Sequence, residues 1–206
     1  SDDYYSENVL NNKTNSTQIT GYSGSKNIVI RNNYNYDNSP IEFIVRDEAL
    51  ANKTVGSYYN QFDNFIDFNF TSGNKLHLRG LSYSYGMNLS TSAAVSRKII
   101  FEDQQTYKTY VKDLGSITDG DYMAALPESD GLDKTRAWYD ADLDISDIPV
   151  GEYTIYITTS SNVTDISEFT EKLGRELDDV TANIDGKNYS FKVNYSKNSR
   201  IELTVK

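Results

Sequence analysis

From residue 27 onward the chain repeats one pattern, a short run rich in β-branched and aromatic residues followed by a cluster of Asn, Gly, Asp or Ser. Asn27-Ile28-Val29-Ile30-Arg31 leads into an Asn/Tyr-rich stretch ending at Pro40, and Ile41-Glu42-Phe43-Ile44-Val45 follows. Over 62–70, Phe62, Asn64, Ile66, Phe68 and Phe70 share one parity, while Asp63, Asp67 and Asn69 take the other with Phe65 as the exception. A period of two sends alternate side chains to opposite faces of a strand. Thr71-Ser72-Gly73-Asn74 reads as a turn. Over 75–85, Leu76, Leu78, Gly80, Ser82 and Ser84 then oppose Lys75, His77, Arg79, Leu81, Tyr83 and Tyr85. Further strands are expected over 98–102, 107–111, 122–126, 138–145 and 152–158, and a closing hairpin over 189–194 and 200–205. Ile148-Pro149-Val150-Gly151 reads as the turn that feeds 152–158, with Pro fixing φ and Gly free to take a positive value. The expected fold is all-β, an antiparallel sandwich of immunoglobulin-like or jelly-roll-like type.

Two stretches break the pattern. Residues 1–25 hold few apolar residues and no sustained period, so they read as a flexible arm or linker. Over 165–180, Ile166, Phe169, Leu173, Leu177 and Val180 are spaced 3, 4, 4 and 3, which predicts one short helix despite Gly174 inside the run. It would cap the sandwich, since nothing else alternates strand with helix. Residues 26–206 are expected to form a single domain, with 71–74 as the alternative boundary.

Charge removes several classes of partner. Thirty acids against 20 bases leave a formal net charge of -10. Nucleic acid is held mainly by Lys and Arg displacing counterions, so it is not an expected partner. There is no cysteine, which excludes disulfides and thiolate metal sites. No apolar run approaches the roughly 20 residues of a membrane-spanning helix, so membrane insertion is not expected. Ser1 opens an acidic polar stretch without a signal peptide, which points to a trimmed or excised chain.

The catalytic inventory is thin. The single histidine, His77, has no Gly-x-Ser-x-Gly nucleophile turn to serve, and it reads as a surface or hydrogen-bonded structural residue. No phosphate-binding glycine loop occurs. Asp140, Asp142 and Asp144 share one parity and would point one way from a strand, about 7 Å apart. Such a row either forms the solvated face of an outer strand or holds a hard cation, calcium, with loop carbonyls completing the shell. The resemblance to an EF-hand loop fails at Ile145 and Gly151, where glycine and glutamate belong.

Aromatic residues offer the remaining handle, with 17 Tyr, 8 Phe and one Trp. Exposed rings stack on the apolar faces of sugars, and Tyr83, Tyr85, Trp138 and Tyr139, with Tyr58 and Tyr59, are the candidate platform. Each also reads as core or sheet-edge packing, Trp138 above all. Arg79 would reach hydroxyls beside the platform, and Lys75, Arg79, Arg97 and Lys98 would make the nearest approach to a basic patch.

Taken in order, Leu76-His77-Leu78-Arg79-Gly80-Leu81-Ser82-Tyr83, Gly86-Met87-Asn88, Arg97-Lys98-Ile99-Ile100-Phe101, residues 139–145, residues 148–156 and Ser199-Arg200-Ile201-Glu202-Leu203 form a pattern. Over about 74–206 it resembles the accessory β-sandwich modules of Gram-positive cell-envelope proteins. Such modules are appended to teichoic-acid and polysaccharide glycosyltransferases and to wall-associated surface proteins. The resemblance implies a non-catalytic module of the cell envelope, at the cell surface or, if appended to a transferase, at the cytoplasmic membrane face. Its expected partner is cell-wall glycan or another envelope protein, with no cofactor unless calcium binds. The alternatives are a structural spacer or oligomerisation domain, and a glycan-active enzyme working through carboxylates.

Overall fold

The computed structural model describes residues 5–6, 18–23, 26–32, 41–46, 61–84, 86–118, 131–161, 164–168, 177–197 and 200–206. Among them fourteen strands appear: β1 Tyr5–Ser6, β2 Gln18–Ser23, β3 Lys26–Asn32, β4 Ile41–Arg46, β5 Gln61–Phe70, β6 Leu76–Ser84 and β7 Ser96–Asp103. The rest are β8 Thr109–Asp113, β9 Trp138–Leu143, β10 Gly151–Ser160, β11 Thr164–Glu168, β12 Val180–Ile184, β13 Lys187–Asn194 and β14 Arg200–Val205. The pairings β1-β2, β2-β3, β3-β4, β5-β6, β6-β9, β7-β10, β10-β11, β10-β14, β12-β13 and β13-β14 are antiparallel. The fold is all-β, as its alternating runs require. The expected strand over 122–126 lies outside the described residues.

The chain divides into two compact units, residues 1–53 with 106–109, and residues 54–105 with 110–206; the expected boundaries lay at 25 and at 71–74. In the first unit β1 to β4 make a meander in chain order. Its strands β1 and β2 both come from the stretch 1–25 read as an arm, and Ile19 stands opposite Ile30 of β3. A ladder is held by backbone N–H and C=O groups, so a strand can form without the side-chain period that would reveal it.

The second unit holds two sheets. The larger runs β12-β13-β14-β10-β7-β8 with β11 also on β10, and the smaller runs β5-β6-β9. Their facing sides enclose the main core. Phe68, Leu76, Leu78, Tyr139 and Leu143 of the smaller sheet meet Ile99, Phe101, Ile155, Ile157, Phe191, Ile201 and Leu203 of the larger. Phe68 sets its ring edge-on to Phe191 at 5.0 Å. Each fully buried side chain of this kind contributes about 1.5–3 kcal/mol. The closing hairpin forms as expected, with Tyr189 opposite Val205, Phe191 opposite Leu203 and Val193 opposite Ile201.

Strand β10 explains why a strand, and not the expected helix over 165–180, forms at the N-terminal end of that stretch; at the other end Val180 pairs with Phe191 of β13. One edge of β10 pairs with β7 from Tyr153 to Ser160. On the other edge β14 covers only Gly151 to Thr154, and β11 takes up Tyr156 to Ser160. Residues 153–159 are buried, so an open edge there would strand backbone polar groups away from water. Pairing therefore overrides the helical spacing: Asp165 and Ile166 lie in β11, and Val180 begins β12. Residues 169–176 lie outside the described residues.

Two irregularities set faces that alternation alone does not. In β5 the register with β6 shifts between Phe65 and Asp67, leaving Ile66 as an added residue. Phe68 joins the main core while Ile66 packs on the far side of the sheet, although the two share parity. Such a bulge reverses the inside–outside pattern downstream of it. At the start of β10, the Tyr153 hydroxyl donates to the carbonyl of Pro149 at 2.8 Å. This is the tyrosine corner that anchors strand entries in β-sandwiches. Gly151 is needed here for close approach and not for a positive φ, since a Cβ would stand 2.9 Å from Asp103 Oδ2 and 3.0 Å from the Tyr153 hydroxyl.

Candidate functional site

The outer face of the β5-β6-β9 sheet gathers most of the chemistry singled out in the sequence. Strand β6 is its middle strand, so its outward residues are flanked on both sides. Register places Asn69 and Asp142 across from His77, and Asp67 and Asp140 across from Arg79. His77 Nδ1 donates to Asp142 Oδ1 at 2.8 Å and lies 3.9 Å from Asp140 Oδ1. Arg79 Nε is 4.0 Å from Asp140 Oδ2. The side chains stay within reach of water, His77 at 25%, Arg79 at 31%, Asp140 at 40% and Asp142 at 54% exposure. Cross-strand pairs of opposite charge in such a setting add only about 0.2–1 kcal/mol each. The strip is therefore a row of partly hydrated donors and acceptors, and β9 is an edge strand of its sheet with Asp140 and Asp142 exposed.

The other half of this face is covered. Leu81, Tyr83 and Trp138 pack with Met87, Leu89 and Ala137 from the segments 86–95 and 131–137, with Ile66, Val95 and Ile117 at the margin. Lys134 is buried among them, its Nζ donating to the Met87 carbonyl at 2.6 Å and lying 5.8 Å from the Tyr83 ring centre. The stacking platform is corrected accordingly. Tyr83 and Trp138 are interior at 1% exposure, and Tyr139 belongs to the main core at 0%. Alternation assigned Tyr83 and Trp138 to the outer face, but it carried no information on what covers that face. Tyr58, Tyr59 and Tyr85 lie outside the described residues.

The three aspartates do not act as one group. Asp140 and Asp142 turn to Arg79 and His77, whereas Asp144 lies past the end of β9 and accepts from the backbone N–H of Ser146 at 3.0 Å and its hydroxyl at 2.6 Å. Those two bonds hold the Asp144 carboxyl below the usual carboxylate value. Asp133 repeats the motif with Thr135, and its carboxyl is lowered for the same reason. Among the described residues no three His, Asp or Glu side chains converge to hold a metal ion.

Sequence reasoning also misplaced Arg97. Counted toward a basic patch, it is instead fully buried at 0% exposure. Its guanidinium donates to the carbonyls of Ser82 at 2.9 Å, Trp138 at 3.1 Å, Arg136 at 3.1 Å and Gly115 at 3.2 Å, and to Thr159 Oγ1 at 3.2 Å. These acceptors come from β6, β9 and β10 and from the segments beside β8 and β9, so one side chain ties the two sheets together. The five donors of a guanidinium suit such a cage, and a lysine could not fill it. Parity held the signal, since Arg97 shares a face with Ile99 and Phe101. Of the remaining members of the expected patch, Lys75 and Lys98 are exposed and Arg79 belongs to the polar strip.

Among the described residues no helix is long and apolar enough to cross a membrane. Comparison with protein-family models, with curated proteins and with solved structures finds no match.

Proposed function

We propose that this chain is a non-catalytic module that binds neutral glycan through the outer polar strip of its β5-β6-β9 sheet, in the setting of a bacterial cell envelope. The observation that carries the reading is the row of half-buried His77 and Arg79 beside exposed Asp140 and Asp142 on a middle strand and its neighbour. Alternating donors and acceptors suit vicinal hydroxyls, which present both at short spacing. The overall charge of -10 works against a polyanionic polymer. The envelope setting rests on the resemblance described above, and recognition is assigned to polar side chains because Tyr83, Trp138 and Tyr139 are interior. A glycan array run beside purified teichoic acid and peptidoglycan tests the reading. Binding to a neutral glycan that disappears in both Arg79→Ala and Asp142→Ala is the expected result. Binding to teichoic acid that weakens steeply with salt would overturn it, as would no binding by a folded chain.

A second reading, a rigid spacer within a larger envelope protein, draws on the Arg97 cage, which stiffens the junction of the two sheets. Absence of glycan binding with a monomer in sedimentation velocity would favour the spacer. A stable oligomer in the same experiment would favour an assembly domain.

A further inference from the structure

We draw no further inference here: the strongest candidate, the buried polar cluster of Glu102, Thr154, Tyr156 and Thr158 on the β7–β10 face turned away from the main core, carries nothing because nothing among the described residues shows what covers it.

Discussion

Replacing Arg97 by methionine keeps most of the side-chain volume and removes every donor from the cage. Five hydrogen bonds from a charged group, taken at the low end of about 1.5–3 kcal/mol each, amount to about 7.5 kcal/mol. Against this stands the cost of holding a guanidinium out of water, several kcal/mol in a protein interior and taken as about 4 kcal/mol. The expected net loss is about 3.5 kcal/mol, a large part of the about 5–15 kcal/mol that separates folded from unfolded chains. The damage is limited because two acceptors keep other partners. The Trp138 carbonyl still accepts from the Ile117 N–H at 2.9 Å, and Thr159 Oγ1 shares a hydrogen bond with Ser82 Oγ at 2.8 Å. Urea titration followed by tryptophan fluorescence is a direct assay, since Trp138 is the single tryptophan, is buried, and offers its own carbonyl to Arg97. The midpoint should fall while the slope stays constant, the mark of lost stability without a change in the surface exposed. Arg97→Lys keeps the charge with three donors and should lose at least as much. A methionine variant as stable as the parent would refute the reasoning, because desolvation would then outweigh the hydrogen bonds.

Three further outcomes follow from the same structure. Burial pushes the Tyr153 phenol up to about 12, with smaller contributions from Tyr110, Asp103 and Tyr189. Its folded value exceeds the unfolded value of about 10, so this contribution is complete below pH 10 and is lost as pH rises from there through about 12, at most about 2.7 kcal/mol. Tyr153→Phe should cost about 1 kcal/mol at neutral pH and show a shallower alkaline decline in urea midpoint; an unchanged decline would assign it to other groups such as Tyr189, whose phenol burial also raises. Gly151→Ala should cost about 1–3 kcal/mol by forcing apart Asp103 and Tyr153, and an unchanged melting temperature would show that the Asp103 carboxylate simply swings aside. Asp133 and Asp144 have folded values lowered below the ordinary 3.8, so the stability they add is present above it and is lost as pH falls through the folded values. Carboxyl NMR titrations should place both midpoints below 3.8, and Ser146→Ala should return that of Asp144 toward the ordinary value.

What could be read along the chain was whatever a strand carries in its own side chains. The alternation of 75–85, the turn at 71–74 and the pairing of Tyr189, Phe191 and Val193 with Val205, Leu203 and Ile201 all follow from a period of two cut by turn residues. The tyrosine corner was half legible, because Ile148-Pro149-Val150-Gly151 announced a turn while the reason for its glycine lay in Asp103, brought there by β7. The candidate site divided in the same way. Asp140 and Asp142 were assigned one face of a strand, but their partners His77 and Arg79 emerge only from the register of β6 against β9.

Tertiary structure alone decided the rest, wherever the outcome depended on what a segment meets. Whether Ile166 begins a helix or lies in a strand was settled by the edge of β10 that β14 leaves uncovered. Whether Tyr83 and Trp138 face water was settled by Met87 and Leu89 arriving from another segment to cover them. Arg97 could lie on a core face because four carbonyls from distant parts of the chain converge on it. Periodicity encodes which residues of a strand share a face. Burial, edge pairing and the satisfaction of a buried charge are sums over neighbours far apart in sequence, so they exist only once the sheets have come together.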